Sequence, residues 1–158
     1  MVFKVENLTK VYEGRRVLDI PELQIEKGHV YGLLGPNGSG KTTLLEILSF
    51  LMQPTTGEIS YNAKKVDFSR TYLQGLRREV AMVEQQPILF TTSVYKNVEF
   101  GLRIRKVAKE RREQIVFEVL DLVGMRDFAQ ASAHKLSGGE TQRVAIARAL
   151  ACSPKVIL

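Results

Sequence analysis

The hydrophobic and polar positions change their period along this chain. From Phe3 to Tyr12, "FKVENLTKVY" alternates apolar with polar, the two-residue period of a strand with one buried face. "RRVLDI" and "LQIEKG" are two further short β-prone pieces, and "HVYGLLG" is an apolar run closed by Gly35. Residues 1–34 therefore predict strands. A glycine-rich loop follows, then a helix over "KTTLLEILSFLM", apolar on most faces and ended by Gln53-Pro54. "GEISYN" predicts another strand, and "EVAMVEQ" is apolar enough for a central one.

From about Ser93 the period becomes helical. In "KERREQIVFEVLDLVG", Ile115, Val116, Val119, Leu120 and Val123 recur at helical spacing with charges opposite, and Gly124 supplies a stop. A second helix, "ETQRVAIARALA", runs to the break at Cys152, Ser153 and Pro154. The final "KVIL" opens an apolar, β-branched run with no turn signal after it, as a strand cut short would. Strand, loop and helix, then an inserted helical stretch, then a new strand: the order predicts an α/β core with a helical subdomain.

Composition narrows the function classes. A chain of 158 residues, 44% apolar and 25% charged, suits one globular domain rather than disorder. No apolar run approaches the roughly 18–20 residues of a membrane span. The longest, "LLEILSFLM", carries Glu46, and "MVFKVENLTK" lacks the layout of a secretory signal. Any membrane role is then expected to be peripheral. Cys152 is the only cysteine, which suits a reducing cytosol, and it reads as a small core residue. The net charge of +6 raises nucleic acid as a partner. The basic residues are dispersed, however, and "RIRKVAKERRE" interleaves Glu with Arg and Lys as a solvated helix face does, so no nucleic-acid binding is expected.

The chemistry starts at "GPNGSGKT", Gly35 to Thr42, which fits G-x-x-x-x-G-K-[ST] between a predicted strand and a helix. Gly35, Pro36, Asn37, Gly38, Ser39 and Gly40 would turn backbone N–H groups around phosphate oxygens, where side chains would block the approach. The helix N-terminus adds partial positive charge. Lys41 would reach the β- and γ-phosphates, and Thr42, followed by Thr43, would offer its hydroxyl to Mg²⁺. The expected ligand is a purine nucleoside triphosphate with Mg²⁺. "LSGGE", Leu136 to Glu140, is a second glycine-bearing helix start. Ser137 and Glu140 fit a capping box, so spacing alone leaves two readings, a helix cap or a second anion-binding nest.

Taken together, "GPNGSGKTT", "VEQQPILF" and "LSGGETQRVAIARAL" resemble the ATP-binding-cassette (ABC) ATPases, and the resemblance covers Val2 to Leu158. It implies a P-loop NTPase core with an antiparallel β N-terminal subdomain and an inserted helical subdomain. It places the β subdomain and phosphate-loop core in 1–92, the helical subdomain in 93–152, and the start of the Walker B strand in 153–158. It implies that Tyr12 stacks on adenine, with Val17 nearby. Gln85, preferred over Gln86 because Pro87 follows, would sense Mg²⁺ and the attacking water and couple to a membrane partner. Ser137, Gly138 and Gly139 would face the γ-phosphate held by a second ATPase subunit in a head-to-tail dimer. The ligands are then ATP and Mg²⁺, and the other partners are transmembrane permease subunits. The membrane would be reached only through that permease, with the chain cytoplasmic on its inner face and the stretch "PILFTTSVYKNVEFGLRIR" contributing the contact.

The resemblance points to an importer, with tungstate or molybdate as the type of cargo. The alternatives are a soluble ABC ATPase of translation or DNA repair and a non-catalytic nucleotide-binding module. Glu140 stands where the family more often has Gln, which places a carboxylate near the γ-phosphate. His29 and His134 do not match the family's switch histidine and read as surface or satisfied polar residues. In the family, the strand opening at "KVIL" leads to an Asp for Mg²⁺ and a Glu that polarises water. Hydrolysis by these 158 residues alone is accordingly expected to be very weak, since losing such a base costs about 10²–10⁴-fold.

Overall fold

In the computed structural model, which describes residues 1–158, the alternation of Phe3–Tyr12 becomes strand β1, with Phe3, Val5 and Leu8 buried. Strand β2 (Arg15–Ile25) pairs antiparallel with it, Phe3 opposite Ile25 and Tyr12 opposite Arg15. The two β pieces expected here are one strand running through Pro21. Pro21 has no N–H to give to a ladder, and β2 tolerates it because it is the sheet's edge. Strand β3 (Thr56–Tyr61) lies on the other side of β1, and β4 (Lys64–Lys65) completes the order β2-β1-β3-β4. Where β3 meets Asn7 and Leu8, a Cβ on Gly57 would fall 2.4 Å from the Asn7 carbonyl oxygen, and the register of β1 against β3 shifts at that point.

Helix α1 covers Lys41–Leu48 and stops short of the expected Met52. Ser49 caps it, and Phe50 takes φ +62°. That turn swings the Phe50 ring into the core, 6.1 Å from the Phe3 centroid and 5.6 Å from that of Tyr61. Burying a phenylalanine is worth about 1.5–3 kcal/mol, enough to offset the roughly 1–2 kcal/mol of a left-handed residue. Arg77 fastens the turn by donating twice to the Phe50 carbonyl oxygen, at 2.9 and 2.7 Å. Helix α2 (Arg70–Leu76) is an element the pattern did not predict. It buries only Leu73, so it leaves no readable period.

The apolar run His29–Gly35 is not a strand. It pairs with no strand, its Gly35 carbonyl oxygen instead accepting from Lys41 Nζ, and Val30 and Leu34 are almost fully exposed.

These elements form one unit, Met1–Arg77; Arg78–Leu158 form a second. In the second, "EVAMVEQ" supplies only β5 (Val80–Ala81), parallel to β6 (Val156–Ile157), rather than a central strand of a larger sheet. One more backbone bond, Val83 N–H to the Leu158 carbonyl oxygen at 2.9 Å, extends the pairing. Three helices make the core: α3 (Val94–Ile104), α4 (Lys109–Leu122) and α5 (Gly138–Ala151). Val94, Val98, Val116, Leu120, Met125 and Val144 are buried together. Inside this core, Arg112 on α4 donates from Nε to Glu99 Oε1 on α3 at 2.7 Å. Cys152 is half-buried rather than a core residue. Its Sγ fills the space a side chain on Gly101 would need, 2.5 Å from where a Cβ would stand.

Candidate functional site

The phosphate loop is assembled between β2 and α1. Residues 29–36, without regular structure, lead to a turn closed by Ser39 N–H donating to the Pro36 carbonyl oxygen, 3.2 Å. Gly40 then caps α1 with φ +86°. A Cβ there would lie 2.6 Å from both the Val17 carbonyl oxygen and Leu18 Cδ2. Glycine is required twice over, by its backbone angle and by the approach to β2. No side chain caps α1, and its first turn holds no acidic residue. The partial positive charge of the helix start and its unpaired N–H groups are thus left for an anion.

Lys41 folds back over the loop, its Nζ donating to the carbonyl oxygens of Gly35 and Pro36, both at 2.8 Å. Thr42 is exposed at the same helix end. A cavity of about 340 Å³ has Gly35, Pro36, Ser39, Gly40 and Lys41 on its loop side and Val17, Leu18, Ile20 and Leu44 on its apolar side. These groups suit a polyphosphate with a divalent cation: backbone donors, one ammonium and the hydroxyls of Ser39 and Thr42, while Asp19, which also lines the cavity, is paired with Arg16.

Tyr12 ends β1 with 41% of its surface exposed. Its hydroxyl donates to Met52 Sδ at 2.8 Å, and Lys10 Nζ stands 5.1 Å from the ring centroid. Lys10 is itself tied to the Gln53 carbonyl oxygen at 2.8 Å. Tyr12 is therefore a held, half-exposed ring with a cation near one face.

The remaining sequence-derived residues belong to the second unit. Ser137 caps α5, and the predicted capping box is complete. Ser137 N–H and Oγ–H both donate to Glu140 Oε2 at 2.7 Å, and Glu140 N–H returns to Ser137 Oγ at 3.4 Å. The Ser137 hydroxyl, then its N–H, hold the Glu140 carboxyl below the usual range, helped by nearby Arg143. Gly138 and Gly139 open the helix, and a Cβ on either meets nothing within 4 Å.

Gln85 and Gln86 are exposed on the loop after β5. Two side chains of α5 hold that loop. Gln142 Nε2 donates to the Glu84 carbonyl oxygen at 3.4 Å, and Arg148 Nη1 to that of Ile88 at 3.1 Å. At the far end Asn97, 0% exposed, receives Phe90 N–H on Oδ1 at 2.8 Å. Its Nδ2 donates to the carbonyl oxygens of Phe90 and Ser93, both at 3.0 Å. Sequence reasoning missed Asn97, Gln142 and Arg148. The polar Asn97 within the apolar series Val94, Val98 and Leu102 was the one available signal. Beside the loop, Ile88, Phe90, Phe100 and Ile104 expose an apolar surface, with the Phe90 and Phe100 centroids 4.5 Å apart. His29 and His134 are exposed, as expected.

Comparison with known proteins sharpens this geometry. Residues 18–158 match the family model described as "ABC transporter". The chain is 41% identical over 158 residues to the tungstate uptake system ATP-binding protein TupC of Peptoclostridium acidaminophilum, covering 100% of this chain and 71% of that protein. It is 40% identical over 165 residues to the phosphate import ATP-binding protein PstB 2 of Natronomonas pharaonis, covering 98% of this chain and 58% of that one. The dimeric structure of the ATP-binding cassette MJ0796 bound to ADP and Pi superposes with a TM-score of 0.89 at 35% identity, covering 98% of this chain and 72% of that one. The chain thus spans between about half and three quarters of the length of these relatives.

Proposed function

Because this chain belongs to the ABC transporter family, we propose that it is the ATP-binding part of an ABC importer, coupling ATP binding and hydrolysis to movement of cargo across a membrane. The observation that carries the reading is the phosphate loop. Gly40 is pressed onto β2, α1 starts uncapped, and Lys41 bridges two loop carbonyls that a phosphate would replace as its partner. Lys41 takes the β- and γ-phosphates, Thr42 binds Mg²⁺, and Tyr12 stacks on adenine in place of the Lys10 ammonium. Bound Mg²⁺ supplies charge neutralisation between the phosphates. Gln85 senses that metal and the attacking water.

Ser137, Gly138 and Gly139 meet the γ-phosphate of a second ATPase subunit, so ATP joins two copies and ADP does not. The structure of the related cassette bound to ADP and Pi, which is itself a dimer, supports a second ATPase subunit as the partner. In this reading the subdomain limits are 1–92, 93–152 and 153–158. The exposed Ile88, Phe90, Phe100 and Ile104 give a permease subunit an apolar footing on the inner membrane face. No helix of the chain is long and apolar enough to cross a membrane itself. For cargo the reading is an inorganic oxyanion, which the tungstate and phosphate relatives support and the methionine and putrescine import relatives, 38–40% identical, do not.

Calorimetry with Mg²⁺·ATP tests the site. The wild-type chain binds, and Lys41→Ala weakens binding at least about tenfold, as loss of a charge-assisted contact does. Equal binding by the two proteins refutes the assignment. Sedimentation in ATP and in ADP then tests the dimer.

A further inference from the structure

The loop that carries Gln85 has no regular structure of its own, yet a sensor must be held at a fixed height. Its backbone is gripped from α5 on both sides of Gln85, by Gln142 at Glu84 and by Arg148 at Ile88. Arg148 is the stronger grip. Its guanidinium is half-buried, gives a charge-assisted bond to a carbonyl, and stands 5.9 Å from the Phe90 ring centroid. Burial lowers the Arg148 pKa, and the charge of Glu84 opposes that change. Asn97 fixes the far end at Phe90. Between these ties Gln85 and Gln86 project outward and exposed.

We propose that Arg148 is a positioning residue for Gln85, strapping the Gln85 loop to the helix whose first turn carries Ser137, Gly138 and Gly139. The inference rests on the metal-sensing role proposed for Gln85. Its consequence is mechanical. The straps at Ile88 and at Glu84 limit how far the loop can move against the helix. Gln142, with its longer bond of 3.4 Å, is the lesser strap.

The test uses the whole chain with Mn²⁺·ATP as a paramagnetic stand-in for the magnesium complex, and compares wild type, Arg148→Ala and Arg148→Lys. Hydrogen exchange of the Phe90 amide, the loop N–H that Asn97 holds next to the Ile88 strap, is expected to be about tenfold faster in Arg148→Ala, the loss expected for one hydrogen bond from a charged donor. Arg148→Lys, which keeps the charge and a donor, recovers part of that protection. Amides in α4 and in the buried face of α5 stay at wild-type rates, which separates positioning from general support of the fold. Mn²⁺ broadening of the Gln85 side-chain amide is strong in wild type, weaker in Arg148→Ala and recovered in Arg148→Lys. Unchanged loop exchange in Arg148→Ala, or acceleration spread evenly over residues 78–158, overturns the inference. Equal broadening of Gln85 in wild type and Arg148→Ala overturns it as well. Absence of Gln85 broadening in wild type removes the metal-sensing role itself, and the exchange rates then judge the strap alone.

Discussion

Gly139→Ala sets the demands of the fold against those of a ligand. Gly138 and Gly139 occupy the first turn of α5, neither has a positive φ, and a Cβ on either meets no atom within 4 Å. Nothing in the chain itself asks for glycine there. By fold alone, alanine at position 139 stabilises by about 0.4–1 kcal/mol, because the unfolded chain loses freedom and the helix gains a better former. For a chain of this size, that raises Tm by about 1–4 °C. In the proposed dimer the same methyl would stand where a phosphate oxygen has to come within hydrogen-bond distance of the backbone N–H. In a head-to-tail dimer two such half-sites close together, so the penalty enters twice. ATP-dependent dimerisation is expected to fall at least about a hundredfold, taking about 1.4 kcal/mol per half-site for a tenfold loss at each.

Gly40→Ala is the contrast. With φ +86° and the Val17 carbonyl oxygen 2.6 Å from the new Cβ, it combines backbone strain with a backbone clash. It is expected to cost about 2–4 kcal/mol of stability together with nucleotide binding. Thermal unfolding followed by circular dichroism and sedimentation velocity in Mg²⁺·ATP read both effects. A Gly139→Ala protein that melts lower than wild type, or one that dimerises as well as wild type, refutes the argument that a ligand selected this glycine.

Three further outcomes are expected. Glu140→Gln keeps an oxygen to accept the Ser137 N–H and removes a negative charge from the turn proposed to meet a phosphate; sedimentation in ATP should show modestly stronger dimerisation, and equal or weaker association contradicts this. Asn97→Ala strips three buried hydrogen bonds from Phe90 and Ser93 and is expected to destabilise residues 78–158 by about 2–4 kcal/mol, measured as a lower urea midpoint. The folded Glu140 carboxyl lies below its ordinary value of 4.5, so its cap contribution is complete above 4.5 and is lost as pH falls through the lowered value. Amide protection at the start of α5, corrected for intrinsic rates, should hold from neutral pH down to about that point and decline below it, a decline that Glu140→Gln abolishes.

How much of this was legible in the chain depends on where each residue's instructions come from. The alternation of β1, the helical period of α4 and the Ser137–Glu140 cap are local, and the structure reproduces them. The phosphate loop was legible for the same reason: its glycines answer to neighbours a few residues away and to β2, which precedes it. Phe50 was not, because its left-handed turn is stabilised by Phe3, Tyr61 and Arg77, which helical periodicity cannot register. His29–Gly35 shows the opposite failure. Its apolar pattern is that of a buried strand, but a strand is defined by a partner, and no strand pairs with it. The straps on the Gln85 loop combine both difficulties. Arg148 and Gln142 lie on the polar side of a helix and look like solvated residues, yet each spends its donor on a carbonyl about 60 residues earlier. A carbonyl is present at every position, so no residue type marks where such a bond will end. Side chain to backbone contacts of this kind are the part of a functional site least visible in sequence. Here they join the two glutamine- and glycine-bearing segments that the motifs had identified separately.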